Sequence, residues 1–249
     1  MGFLSKLKRS ANRALNRFGY TVIHPSEAPS FERFANRIKS EGLYPKTVFD
    51  IGVACGTPWL YRAFPAAKFH LIDPVRESLP YMQEWAGRLD ADIHPVGLGQ
   101  EAGKSIIYVT PGIDGSSIFE EQGEITITNS YPIDIVRLDE LISSFEKPAL
   151  VKIDVQGAEL NVLRGMAEGE VLAQIEAIVV ETSLIATLKG EAPEFAAVCG
   201  FLNQQGFVLF DIVGIMRRPL DDALAQVDAV FVPEHSRLRR DKRWSAVTI

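Results

Sequence analysis

TVFDIGVACGT, residues 47–57, is the stretch whose reading decides the fold. Thr47, Val48, Phe49 and Ile51 form a short apolar, partly β-branched run, the composition of a parallel strand buried on both faces. The strand ends on a carboxylate, Asp50, and passes into a turn between Gly52 and Gly56. A second apolar strand over residues 68–72 ends on another acid, Asp73. Strand, acid, glycine turn, helix, strand, acid is the order of a nucleotide-type site at the carboxyl ends of parallel strands.

Each part of that order has a physical reason. A chain that turns sharply from strand to helix while its backbone approaches a ligand has no room for a Cβ at the turn. Dinucleotide folds place another glycine and an apolar residue before such a turn and seat a pyrophosphate over the helix N-terminus. A carboxylate at Asp50 repels that group, which sets a nicotinamide-dependent oxidoreductase aside. It suits a ligand carrying an amino group and a sulfonium charge, and S-adenosylmethionine has both. Asp73 is then the acceptor for the ribose hydroxyls. The structural alternatives are a helix cap for Asp50 and a turn former before Pro74 for Asp73.

Composition sets the outer bounds. A chain of 249 residues with 47% hydrophobic and 23% charged residues is an ordinary globular protein, large enough for one α/β domain with a well-buried core. A net charge of −6 argues against general nucleic-acid affinity. Cys55 and Cys199 stand far apart, so a disulfide framework is not expected and a reducing, cytoplasmic location is. No apolar run approaches the roughly 20 residues that span a bilayer. The N-terminus also lacks the apolar core and cleavage site of a secretory signal.

Charge is unevenly spread. Residues 1–20 hold Lys6, Lys8, Arg9, Arg13 and Arg17 and no acid. Phe3, Leu4, Leu7, Ala11, Ala14, Leu15 and Phe18 recur at helical spacing among them, which predicts a basic amphipathic helix. Such a helix over residues 1–18 can lie on an anionic membrane surface, dock on a partner or a second copy of the chain, or cover its own domain. Residues 24–30 read as a Pro/Ser-rich connector and residues 31–41 as a helix stopped by Gly42 and Pro45. We therefore expect an N-terminal helical extension over residues 1–45 and one domain over residues 46–249.

Within that domain strands and helices alternate, as in a parallel sheet covered on both faces. Helices are expected at 79–88, 139–145, from 157 onward, and at 193–205. Strands are expected at 93–96, 105–110, 125–128, 133–136, 149–155 and 175–180, with a closing antiparallel pair at 207–213 and 228–232.

The segment VKIDVQGAELNVLRG, residues 151–165, resembles the signature of the FkbM family of S-adenosylmethionine-dependent methyltransferases. VFDIGVACG at 48–56, Asp73-Pro74, Gly97-Leu98-Gly99 with Gly103, RLDELI at 137–142 and VDAVFV at 227–232 extend the resemblance in the same order. It implies a Rossmann-like class I methyltransferase fold, a seven-stranded mostly parallel sheet with an antiparallel last strand. It also implies O-methylation of a sugar, glycan or natural-product hydroxyl, with S-adenosylmethionine held by Asp50, Gly52, Gly56, Thr57, Asp73, Gly97 and Leu98. The chain departs from the family in carrying Gln156 where a glutamate is usual, which removes one acid from the acceptor side. That departure motivates a runner-up reading, a non-catalytic adenosine-binding partner in a biosynthetic complex.

A neutral hydroxyl acceptor needs a proton acceptor or a metal. Asp154, at the carboxyl end of the fourth core strand, and Glu181, at the end of the fifth, stand on the ligand edge and are the candidate catalytic pair. Two acids without a third clear ligand do not argue for a metal. Glu159 fits the first turn of the following helix, where its charge meets the dipole. Lys152 fits a partner for a nearby acid, and His94 is set behind the carboxylates as a base.

Overall fold

The computed structural model describes residues 15–18, 23, 28–120, 126–186 and 195–243. Contacts divide the chain into two units, Met1–Ser30 and Phe31–Ile249. In the first, Asn16–Phe18 forms a 3-10 turn. Most of the basic helix expected over residues 1–18 lies outside the described residues.

The second unit is built on a seven-stranded sheet. Its strands are β1 (Thr47–Ile51), β2 (Lys68–Ile72), β3 (Ala91–His94), β7 (Ala149–Ile153), β8 (Ile175–Ser183), β9 (Phe207–Arg217) and β10 (Leu224–Pro233). They lie in the order β3-β2-β1-β7-β8-β10-β9. The first five run parallel, and β10 is antiparallel to both neighbours. This is the Rossmann-like sheet with a reversed last strand. Three further strands, β4 (Gly97–Leu98), β5 (Gly103–Val109) and β6 (Asn129–Val136), make a small separate sheet in the order β4-β6-β5.

Six helices are described: α1 (Phe31–Ser40), α2 (Pro58–Ala63), α3 (Leu79–Ala86), α4 (Leu138–Leu141), α5 (Glu159–Glu168) and α6 (Phe195–Gln204). Successive strand residues point to opposite faces, so each central strand feeds two cores. On one face Phe49, Ile51, Val151, Ile153, Ile178 and Val180 pack with Leu163 and Met166 of α5 and Leu202 of α6. On the other, Val48, Phe69, Leu71, Leu150 and Val179 pack with Phe34 and Ile38 of α1 and Leu60 of α2. Helix α1, expected within the extension, thus belongs to the unit that holds the sheet.

Several expected elements shift for identifiable reasons. The strand expected at 93–96 ends at His94. Pro95 has no N–H to continue the ladder, and Gly97–Leu98 pairs instead with β6. Residues 126–128 are not strand: β5 ends at Val109, shortly before Pro111, and past the Val109–Asn129 pair the contact is reduced to Thr128, whose N–H and hydroxyl both donate to the Val109 carbonyl, at 2.8 and 3.0 Å. Helix α4 stops at Leu141 rather than continuing to 145: Ile142 is extended, and Phe145 packs edge-on against Phe49 with centroids 5.0 Å apart.

Candidate active site

Ladder register explains how the sheet assembles a site. Ile51 pairs with both Ile72 and Ile153, and Ile153 pairs with Val180. The next residue on each strand is therefore Gly52, Asp73, Asp154 or Glu181, one row along the carboxyl edge. Antiparallel β10 brings Asp228 opposite Glu181 and extends the row. Above this row lies a cavity of about 400 Å³ whose lining includes Gly52, Asp73, Leu98, Asp154, Glu181 and Asp228. Its volume is within the ordinary range of small-ligand pockets.

At the glycine turn, Gly52 has φ +80°, and a Cβ there would strike the backbone carbonyl of Asp154. Gly56, at φ +109°, faces the Trp85 indole in the same way, and that indole donates to the Cys55 carbonyl at 3.1 Å. The turn is thus drawn close against Asp154 on one side and Trp85 on the other, which only glycines at these two positions allow. Thr57 precedes Pro58, the first residue of α2, where the missing N–H costs no hydrogen bond.

Asp73 is buried, and both carboxylate oxygens accept backbone bonds, Oδ2 from Ala54 N at 2.7 Å and Oδ1 from Val75 N at 2.8 Å. Burial raises its pKa against the pull of those donors. Each oxygen keeps a second lone pair. The carboxylate is therefore fixed in place by the chain and still able to accept from a ligand hydroxyl.

Asp50 corrects the sequence reading. It lies inside β1, one residue before the ladder ends, and is fully buried behind the cavity rather than in its lining. Its oxygens accept from Thr57 Oγ1 at 3.1 Å and from Tyr61 Oη. Its register partner on β7 is Lys152, whose Nζ stands 3.8 Å from Asp50 and 3.1 Å from Asp154 and donates to the Gly52 carbonyl at 2.9 Å. The positive charge that Asp50 faces is supplied by the protein itself. Burial raises the Asp50 pKa, with Lys152 opposing. For Lys152, burial works against the charge, but Asp154 and Asp50 reverse that effect and hold the ammonium firmly protonated.

The expected acceptor-side acids, Asp154 and Glu181, do come together. Gln156, in the left-handed region at φ +50°, donates its amide to Asp154 Oδ1 at 2.7 Å and to Glu181 Oε1 at 2.6 Å. Gln226 also donates to Glu181 Oε1, at 3.0 Å. A glutamate at position 156 would set a third carboxylate against two others, whereas the amide bridges them. Burial, with Asp154 and Asp228 nearby, pushes Glu181 up to about 8. Burial, with Asp154, pushes Asp228 up to about 6.

Gly56, Thr57, Gly97 and Leu98 also line the cavity, so of the expected cofactor-binding residues and the Asp154–Glu181 pair only Asp50 is missing from it. Glu159, the first residue of α5, is buried and accepts from Gly157 N at 2.9 Å and Val155 N at 3.3 Å, tying down the loop before the helix rather than capping it, and burial pushes it up to about 7. His94 does not line the cavity and lies 3.2 Å from His70. Sequence reasoning missed Asp228, Gln226 and Tyr61. The signal for Asp228 was a single acid inside the apolar run VDAVFV.

Strand order, the glycine turn and the row of strand-end acids define an α/β methyltransferase of the Rossmann-like class. A family model described as the methyltransferase FkbM domain matches residues 50–209, and the chain belongs to that family. Among solved structures, it is similar to the FkbM methyltransferase of Methylobacillus flagellatus, at 15% identity and a TM-score of 0.47. That alignment covers 77% of this chain and 47% of the other, so the chain spans about half that protein's length. EvdMO1 aligns at 13% identity and a TM-score of 0.42, over 81% and 40% of the two chains. A magnesium protoporphyrin IX methyltransferase from Synechocystis, solved with S-adenosylmethionine bound, aligns at 12% identity and a TM-score of 0.44, over 81% and 77%. No curated protein matches the sequence. Among the described residues, no helix is long and apolar enough to cross a membrane.

Proposed function

We propose that the protein uses S-adenosylmethionine to methylate a hydroxyl of a small acceptor, a sugar, glycan or natural product. The observation that carries this reading is Asp73. A buried carboxylate is held by two backbone N–H groups at the end of β2, at the opposite side of Gly52 from an acid group around Lys152. The residues fit the cofactor: Asp73 offers lone pairs for ribose hydroxyls, and the cavity lined by residues 52–57 at the carboxyl edge of the sheet gives it room.

S-adenosylmethionine would supply an electrophilic methyl on a sulfonium. Asp73, Gly97 and Leu98 would hold its adenosine side, while Gly52 and Gly56 keep the turn close to it. Aligning acceptor oxygen with methyl and sulfur supplies much of the acceleration in such a displacement. The proton of a neutral hydroxyl still has to leave. Glu181, held near neutrality by burial and by its acidic neighbours, suits that task, since a base works best with a pKa near the working pH. Asp154, fixed by Lys152 and Gln156, would orient the hydroxyl.

Calorimetry with S-adenosylhomocysteine tests the cofactor assignment. Asp73→Ala should weaken binding by about 10- to 100-fold, the worth of hydrogen bonds to a charged acceptor at roughly 1.5–3 kcal/mol. Equal affinity in a variant with an unchanged circular dichroism spectrum would remove the assignment. Mass spectrometry of hydroxylated extracts, scanned for a methyl gain, then identifies the acceptor.

A further inference from the structure

A second constellation stands outside the cavity, on the two strands at one edge of the sheet. His70 on β2 pairs in register with Asp92 on β3, and Ile72 pairs with His94. Residues two apart on a strand share a face, so all three side chains project from the same one. One potential ligand atom from each lies within 4.8 Å of the other two, and no other group of His, Cys, Asp and Glu among the described residues meets that condition. The acids of the cavity do not.

We propose that His70, Asp92 and His94 form a binding site for a divalent transition-metal ion of the zinc class. Two imidazoles and a carboxylate are zinc-type donors, whereas magnesium and calcium prefer an all-oxygen shell. His70 Nδ1 and His94 Nε2 are 3.2 Å apart. Two nitrogens bound to one tetrahedral zinc at about 2.0–2.1 Å lie about 3.3 Å from each other, so the pair is already spaced for the ion. Asp92 Oδ2 is 3.9 Å from His70 Nδ1, so the exposed Asp92 side chain must move inward to complete the triangle, by about 0.6 Å along that edge.

The surroundings hold these donors in place. Lys68 Nζ donates to the other Asp92 oxygen, Oδ1, at 2.9 Å, and to Asp90 at 2.9 Å, which leaves Oδ2 turned toward the histidines. Hydrogen bonds of this kind orient a ligating carboxylate. The buried His70 ring stacks on Phe49 with centroids 5.2 Å apart. Solvent reaches the site from the Asp92 side and can fill a fourth position. Without an ion, the two facing nitrogens share one hydrogen. With an ion, both present lone pairs and each ring carries its hydrogen on the opposite nitrogen. Asp73 N donates to the His94 carbonyl at 3.1 Å, so a metal here would clamp β3 to β2 directly below the cavity edge.

The test is a titration of untagged, chelator-stripped full-length protein with Zn²⁺ against a chromophoric chelator, with Co²⁺ absorption as a second readout. One equivalent should bind, raise Tm, and give the visible bands of a low-coordinate cobalt site. His94→Gln and Asp92→Asn should each weaken Zn²⁺ binding at least tenfold and abolish the Tm rise, while His235→Gln and Cys55→Ser leave both intact. Absence of stoichiometric Zn²⁺ binding, or binding that survives His94→Gln or is lost in Cys55→Ser, would overturn the proposal. Should His94→Gln fail to fold, Asp92→Asn decides: its carboxylate is exposed, and unchanged affinity there is refutation.

Discussion

Replacing Lys152 with methionine keeps the bulk of the side chain and removes the charge that two carboxylates face. At an effective dielectric near 20, unit charges about 3–4 Å apart attract by roughly 4–5 kcal/mol, most of which offsets the desolvation of the lysine. What the substitution exposes is the second quantity. Removing one partner of a buried pair typically costs about 3–5 kcal/mol, because the other charge is left uncompensated. Asp50 is fully buried but keeps donors in Thr57 and Tyr61, and Asp154 keeps Gln156, so the lower end, about 3 kcal/mol, is expected.

The loss should depend on pH in a definite direction. Burial already raises the Asp50 pKa, and without Lys152 it rises further. A carboxylate whose folded pKa exceeds its unfolded value costs nothing while both states are protonated. It destabilises the fold once the unfolded chain ionises, above about pH 4. Because wild type and variant share the same unfolded chain, their difference grows only above the wild-type Asp50 pKa, so the deficit of Lys152→Met should be smaller near pH 4.5 than at pH 7.5. Urea unfolding followed by tryptophan fluorescence at the two pH values measures both numbers. A second arm, Lys152→Met with Asp50→Asn, should recover part of the loss, because the stranded charge is gone. A deficit below about 1 kcal/mol at pH 7.5, or one that does not change with pH, would refute the placement of Lys152 as the internal counter-charge.

Two further substitutions probe the same row. Glu181→Gln removes a carboxyl pushed up to about 8. Methyl transfer should fall by about 10²- to 10⁴-fold with S-adenosylhomocysteine affinity unchanged, and the wild-type rate should climb through pH 8 rather than stay flat. Its folded pKa lies above the unfolded one, so its contribution to wild-type stability should fall as pH rises from about 4.5 to about 8 and stay lost above that, and Glu181→Gln should be the more stable protein at pH 9. Gly52→Ala puts a Cβ on the Asp154 carbonyl at φ +80°. Left-handed strain of about 1–2 kcal/mol plus that collision should lower the urea midpoint sharply. Gly103→Ala, where nothing lies within 4 Å, should leave it unchanged.

Much of the fold is legible in the sequence because its central strands are buried on both faces. Such strands must be apolar at nearly every position, so β1, β2, β7 and β8 stand out as short continuous runs. The small sheet is less legible. Its strands are half exposed, as in the pattern of β6, and where they begin is decided by their partners. Thr128 still donates to the Val109 carbonyl but belongs to no strand, because β5 ends at Val109 and residues 126–127 have no β5 partner. Tertiary contact likewise shortens α4, since Phe145 reaches Phe49 only from an extended segment.

The site shows where pattern and position separate. Asp50, Asp73 and Asp154 look alike in sequence, each an acid at the end of an apolar run. Local sequence does not separate them, since an apolar residue follows Asp50 (Ile51) and Asp154 (Val155) alike; the ladder does, because the last paired residue is Ile72 or Ile153 just before the acid in two of them and Ile51 just after it in the first. Aligning the ladders on Ile51, Ile72 and Ile153 leaves Asp50 one step inside the sheet, where neighbouring strands wall the side chain in, and puts Gly52 in the ligand row instead. An acid one step inside a fully buried strand must find its counter-charge from the adjacent strand, which is why a lysine occurs at position 152 in an otherwise apolar run. Asp50 and Lys152 therefore act as a pair beneath the site, steadying the Gly52 carbonyl and Asp154 above them, while Asp73 and Asp154, one residue past the last paired residue of β2 and β7, face the cavity beside the Glu181–Asp228 pair of the antiparallel ladder.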